Sequence, residues 1–256
     1  MTAHYYSRLL PGALLATTLA LSPLPTQAQS PVTIPVGELP TFSSAGIGQG
    51  REPVSFIYIG TERQIINLFI SHGFSGADPL TPATLLQAYE AAKADAPYPT
   101  APFSPAIIQG HRQDLEFQLP TSANSIRERH HTRIWDTTVQ ASDGRQVWVG
   151  TASFDDGLQA LGRTSLPVHH IDPNLDGERE FILDTLGFSG LPYVQLNSGG
   201  SGQNSFGNPY YTDGRAVIVD LGSPDTTPAA VHKDSSPSLS TRVSSWIQQA
   251  ASHIWL

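Results

Sequence analysis

The chain has 256 residues, 14 basic against 22 acidic side chains, a formal charge of −8 at neutral pH and no cysteine. An acidic surface repels phosphate backbones at long range, so general nucleic-acid binding is disfavoured. Without cysteine there are no disulfide staples, thiolate metal ligands or lipidated cysteines, and stability has to come from packing.

Residues 1–28 read as a secretory signal peptide: Arg8, an apolar run from Leu9 to Leu21, and small residues up to a cleavage position near Ala28. Pro11 interrupts that run, which falls short of the roughly 20 residues a membrane-spanning helix needs, and no transmembrane segment is expected. The protein is therefore expected to be exported, periplasmic or secreted. Residues 29–53 are rich in Pro, Gly, Ser and Thr and read as a linker or surface arm. The domain proper is expected over residues 54–222, opening with a buried strand at Val54–Gly60. Thr61 and Gln64 then form a capping box for a helix that Gly73 stops. Thr81 followed by Pro82 opens a second helix through Ala94.

The four prolines of Ala96–Pro105 exclude regular structure. AIIQG and DLEFQLP follow as short strands, and then RHHTRIWDTTV and RQVWVGTASF flank Asp143-Gly144, a hairpin turn signal. If the turn has two residues, Ser142 faces Arg145. That register sets His131 opposite Asp156, Arg133 opposite Phe154 and Trp135 opposite Ala152, and a slip of one residue would move every side chain to the other face. PNLDGEREFILDTLG reads as a helix with Phe181, Ile182, Thr185 and Leu186 as its apolar stripe. Asn197–Pro209 reads as a flexible loop and AVIVDL as a further strand. Residues 223–256 form a tail whose Leu239, Val243, Trp246, Ile247, Ala250 and Ile254 recur at helical spacing. The expected class is α+β: a single domain with a mixed or antiparallel sheet and covering helices.

The histidines that could carry chemistry are His111, His130, His131, His169, His170 and His232, and four of them form two adjacent pairs. Neighbours on a strand face opposite ways, so each pair can send one imidazole inward. His130 or His131, His169 or His170, and Asp172, or Asp156 across the hairpin, could supply three ligands to a divalent metal such as zinc and leave a position for water. The spacing matches no compact motif such as HExxH. Asp172-Pro173 equally suits a helix start, with Asp172 as the cap and Asp176, Glu178 and Glu180 near the positive helix end. Arg127, Arg129 and Arg133 crowd around the first pair and suit a phosphate or carboxylate, or pairing with Glu128, Asp155 or the acidic helix. His130-His131-Thr132 occurs without a second copy, and no G-x-S-x-G elbow is present; Ser153 falls inside a strand.

The ordered series RHHTRIW, WVGTASFD and HHIDPNLDGERE, with a final strand after TDGR, resembles the LssY C-terminal domain family over roughly Val54 to Leu221. The matching positions are Arg129, His130, His131, Arg133, Trp135, Trp148, Gly150, Asp155, His169, His170, Asp172, Asp176, Glu178 and Arg179, while Glu180 stands where many relatives have Asp. In that family the domain often follows membrane-embedded parts, some like lipid phosphatases, and the resemblance implies a phosphorylated or lipid-derived envelope substrate.

Two functions are expected. In the first, a hydrolase uses His131, His170, Asp172 and Asp156 for acid/base or metal-assisted chemistry, with Arg129 and Arg133 binding substrate charge and His130, His131, His169, His170 and Asp172 as the metal-ligand pool. In the second, a non-catalytic envelope domain binds a small-molecule, lipid, glycan or protein partner, and the His/Asp/Arg cluster is a structural network.

Overall fold

The computed structural model describes residues 31–45, 51–160, 167–204 and 206–223. The expected signal peptide and tail helix lie outside these residues. A 3-10 turn at Val36–Glu38 leads to strands β1 (Phe42–Ala45), β2 (Arg51–Pro53) and β3 (Phe56–Ile59). Residues 29–53 are thus more than an arm: β1 pairs with β2, and Leu39 enters the core. Helix α1 (Glu62–Ser71) begins with the expected capping box, Thr61 Oγ1 accepting from Gln64 N and Gln64 Oε1 accepting from Thr61 N. After β4 (Ser75–Gly76), helix α2 (Pro82–Ala94) is capped by Thr81, with Thr84 closing the box in place of a longer side chain.

Strands β5 (Ala106–Ile108), β6 (His111–Arg112) and β7 (Leu115–Pro120) precede the long hairpin of β8 (Glu128–Gln140) and β9 (Gln146–Ala160). Then come β10 (Pro167–Ile171), helix α3 (Leu175–Thr185), β11 (Tyr193–Gln195), β12 (Gly200–Gln203), β13 (Pro209–Thr212) and β14 (Arg215–Asp220). The segment expected as a flexible loop is instead the antiparallel ribbon β12–β13.

The main sheet runs β11-β14-β3-β9-β8-β7-β4, with β10 also on β9. The β14–β3 pair is parallel and the others are antiparallel, so the sheet is mixed. Because β9 is so long, one edge serves two partners: residues 147–150 pair with β3, and residues 155–160 pair with β10. Strands β2-β1-β5-β6 form a second, smaller sheet.

Alternation along the strands gives the main sheet two distinct faces. On one, Phe56, Tyr58, Phe117, Ile134, Trp148 and Ala152 pack with Phe69 of α1 and Ile182 and Leu183 of α3. On the other, Ile57, Ile59, Trp135, Val147 and Val149 pack with Leu39, Ala106 and Ile108 of the small-sheet region. Further along the second face the same alternation delivers Arg129, His131 and Arg133 from β8 and Thr151, Ser153 and Asp155 from β9. Among the described residues, no helix is long and apolar enough to cross a membrane.

The hairpin register differs from the expected one. Ala141 N bonds to Arg145 O and Gly144 N to Ala141 O, so the turn is longer than two residues, although Gly144 does adopt the left-handed φ of +83° that its position in the turn signal requires. Next to the turn, β8 takes four steps from Asp136 to Gln140 while β9 takes two from Trp148 to Gln146. The combined offset sets His131 opposite Ser153, Arg133 opposite Thr151 and Trp135 opposite Val149, and brings Arg129 opposite Asp155. The offset is odd, so Asp155 rather than Asp156 shares a face with His131.

The start of α3 is also shifted. Asn174 is the cap, its Oδ1 accepting from Gly177 N at 3.0 Å, while Asp172 Oδ1 accepts from Asn174 N at 2.7 Å and braces the turn before the helix. A Cβ on Gly177 would lie 2.7 Å from the Asn174 amide nitrogen, so a larger residue there would push the capping side chain aside.

Candidate functional site

Asp155 is the hub of the second face. Its Oδ2 accepts from Arg129 Nε at 2.8 Å and its Oδ1 from His131 Nε2 at 3.0 Å. Arg129 is otherwise committed to the protein: its Nη1 donates to Gln118 Oε1 at 2.8 Å, and Gln118 Nε2 donates to the Ala101 carbonyl at 2.9 Å. Phe103, from the proline-rich segment, lies against the guanidinium of Arg129 and the ring of His131. That segment is irregular, as its prolines dictate, and this lets it fold over the polar strands.

The third partner comes from β10. A register shift between His170 and Ile171 aims His169 at the hub, with Nδ1 3.2 Å from Asp155 Oδ2, a close approach that misses hydrogen-bond geometry. Burial opposes ionisation of Asp155, but His169, His131 and Arg129 hold its carboxyl well below the usual range. Burial pushes both imidazoles down against the pull of Asp155, His169 to about 4. Arg129 and Arg133 reinforce that shift, so the cluster at neutral pH is an ionised carboxylate between an arginine and two neutral histidines.

Buried polar atoms concentrate here without partners: His131 Nδ1, Arg133 Nε, Thr151 Oγ1 and Ser153 Oγ all belong to this face of β8 and β9. Native interiors satisfy nearly all such atoms, so a cluster of exceptions marks a place where stability is not the only constraint. Arg133 is the less satisfied of the two arginines of this cluster, with one hydrogen bond, from Nη1 to Glu52 Oε2 at 3.3 Å, and the ring of Phe103 beneath it.

Above the hub is a cleft of about 540 Å³, within the range of small-molecule sites. Its polar floor is Arg129, His131, Arg133, Asp155 and His169, with Glu52 and Asn204 at the margins. Its apolar walls are Leu80, Leu85, Leu86 and Tyr89, with Ile126, Leu158, Val168 and Phe206.

The expected site residues divide into separate groups. Arg129, His131 and Arg133 come together with His169, one histidine from each adjacent pair. His130 lies on the other face, donating through Nδ1 to Glu178 Oε2 at 2.8 Å, its ring between Phe154 and Phe181. His170 bonds to Asp156 in an exposed pair, and Asp172 serves the turn before α3. The proposed ligand pool of His130, His131, His169, His170 and Asp172 is not gathered at one point, and among the described residues no three His, Asp or Glu side chains converge to hold a metal ion. The charge at the hub also fits a cation poorly, because Arg129 already neutralises Asp155 and Arg133 stands beside it.

In the sequence Asp155 stands out as an arginine partner and as a position shared with the family, but not as the hub, and Gln118 and the α2 wall carry no expected role. Asp155 was concealed by the register, which sequence leaves open. Leu85, Leu86 and Tyr89 carried a usable signal, three large apolar side chains within five residues of a helix.

These features define a sheet-rich protein with three helices among the described residues and a buried Arg–Asp–His centre beneath an amphipathic cleft. The chain belongs to the LssY C-terminus family, whose sequence model matches residues 36–216. Neither the curated proteins nor the solved structures compared with it include a match.

Proposed function

We propose that the cleft is a hydrolytic site in which Asp155 and His169 act together as a general base toward water. The observation that supports this reading is the placement of His169 Nδ1 3.2 Å from a buried, arginine-held carboxylate, with the ring lining the cleft. On this reading the Nδ1 contact with Asp155 tightens to a hydrogen bond when substrate binds, which holds the proton on Nδ1 and leaves Nε2 with the lone pair. Nε2 then takes a proton from water as its oxygen attacks an ester carbonyl or phosphoryl centre, and returns the proton to the departing alcohol oxygen. Arg133 is positioned to stabilise the negative charge that builds on the attacked group. The family resemblance points to a phosphorylated or lipid-derived substrate, and the expected signal peptide to work outside the cytoplasm.

The test is a panel of chromogenic carboxylic and phosphoric esters assayed with the wild type and His169→Gln. The variant is expected to lose about 10²–10⁴-fold in turnover, the usual worth of a general base, with its melting transition kept. Full activity in His169→Gln ends this reading, as does a wild type inert toward the whole panel.

A second reading, a non-catalytic binding domain, is favoured by the closure of the Arg129, Asp155, Gln118 and Ala101 network within the protein. On that reading the same cleft holds a ligand unchanged, which mass spectrometry of the ester after incubation distinguishes.

A further inference from the structure

The ordinary place for leucine and tyrosine on a surface helix is its inner face, yet on α2 the side chains of Leu85, Leu86 and Tyr89 are 52%, 61% and 47% exposed. They are not scattered, since all three line the cleft whose floor carries Arg133 and His169. Leu158 and Val168 continue the apolar wall from β9 and β10. At one end, therefore, the cleft offers unpartnered hydrocarbon surface. At the other it offers an arginine, nine-tenths buried, whose five N–H groups make one hydrogen bond at 3.3 Å.

Each end alone is unfavourable, and the two together specify an occupant. An under-used buried guanidinium costs free energy that acidic oxygens would recover. Contiguous exposed apolar side chains rimming a cavity mark a binding surface. An inorganic anion would leave the α2 wall bare.

We propose that the cleft takes up a single-chain anionic amphiphile, with its phosphate or carboxylate oxygens on Arg133 and its alkyl chain along Leu85, Leu86 and Tyr89. The choice of place rests on the proposed reaction site, and occupancy itself requires no reaction.

The experiment is calorimetric titration of the full chain carrying His169→Gln, so that no turnover intervenes, with octyl and decyl phosphate below their micelle concentrations. Burial of each added methylene is worth about 0.8 kcal/mol, or about fourfold in affinity, so decyl phosphate is expected to bind roughly 15-fold tighter than octyl phosphate. Inorganic phosphate is expected to bind weakest, and Leu86→Ser to flatten the chain-length dependence. Arg133→Lys keeps the charge but loses the fork, and is expected to weaken both ligands about tenfold or more.

Equal affinity for the two chain lengths overturns the proposal, as does unchanged binding in Arg133→Lys. Binding to anionic phospholipid vesicles with none to monomeric decyl phosphate assigns the α2 surface to a membrane instead, and a dimer that Leu86→Ser dissociates assigns it to a second copy. If His169→Gln binds as expected while the wild type hydrolyses no ester, this inference stands and the hydrolytic reading falls. Hydrolysis of short esters without chain-length preference has the reverse meaning.

Discussion

The two faces of the β8–β9 hairpin carry nearly the same chemistry and reach opposite results. His131 on one face donates to Asp155 at 3.0 Å, and His130, the next residue, donates to Glu178 at 2.8 Å on the other. Both carboxylates are buried. Asp155 also has Arg129 and His169 and is held well below the usual carboxylate range, whereas burial pushes Glu178 up to about 7 despite His130. Glu178 Oε1 has no partner, and no arginine bonds to Glu178 among the described residues. Burial alone protonates a carboxyl group, and it takes a fixed cation with several donors to keep one ionised. The Asp155 face is accordingly the one equipped to orient a base.

Removing the hub should give the largest effect. Asp155→Ala strands the Arg129 guanidinium in the interior and leaves His131 without its acceptor, and breaking a buried pair in this way costs about 3–5 kcal/mol. Chemical denaturation of the variant is expected to show that loss at neutral pH. Glu178→Ala, which removes a carboxyl that is already largely neutral below pH 7, is expected to cost less. Equal losses would mean that the arginine does not distinguish the two faces.

The pH dependence sharpens the contrast. His169 titrates at about 4 when folded against 6.5 for a free imidazole, so between those values the unfolded chain holds a proton that the folded one lacks, and stability rises with pH. Glu178 titrates at about 7 when folded against 4.5 when free, so between those values the folded chain holds the extra proton, and stability falls as pH rises. Each slope is at most about 1.4 kcal/mol per pH unit. In the wild type the two oppose one another across the overlap. His131, also pushed down by burial, acts in the same sense as His169, so Glu178→Gln is expected to tilt the stability curve toward a rise with pH, and His169→Gln to tilt it toward a fall, relative to the wild type. Two variants with parallel stability curves between pH 4.5 and 6.5 would contradict both assignments.

The sequence made the elements legible because their signals are local. The Thr61–Gln64 capping box, Thr81-Pro82, the proline run and the Asp143-Gly144 turn each act within a few residues, and each stands where it was expected. The division of each histidine pair between two faces was legible too, since it follows from strand pleating. Which residue lies across the strand was not, because it depends on the turn length and on the extra residues between Asp136 and Gln140, which no short motif encodes. That one offset exchanged Asp156 for Asp155. The histidine of the second pair that reaches the hub was likewise set by a bulge, between His170 and Ile171. The β12–β13 ribbon escaped notice because glycine and serine dominate its first strand, where neither β-branched nor aromatic side chains announce pairing.

The smallest expected effect is at the histidine that the sequence favoured. His170 and Asp156 bond to each other, but their side chains are 40% and 32% exposed, so water solvates both partners when the pair is broken. Exposed pairs of this kind contribute about 0–1 kcal/mol, and His170→Ala is expected to shift the denaturation midpoint within that range while leaving ester turnover unchanged. His169→Gln, one residue away, is expected to lose about 10²–10⁴-fold in turnover. A His170→Ala variant as inactive as His169→Gln would mean that β10 presents its other side to the substrate, and the base would then have to be sought at Asp156 rather than Asp155.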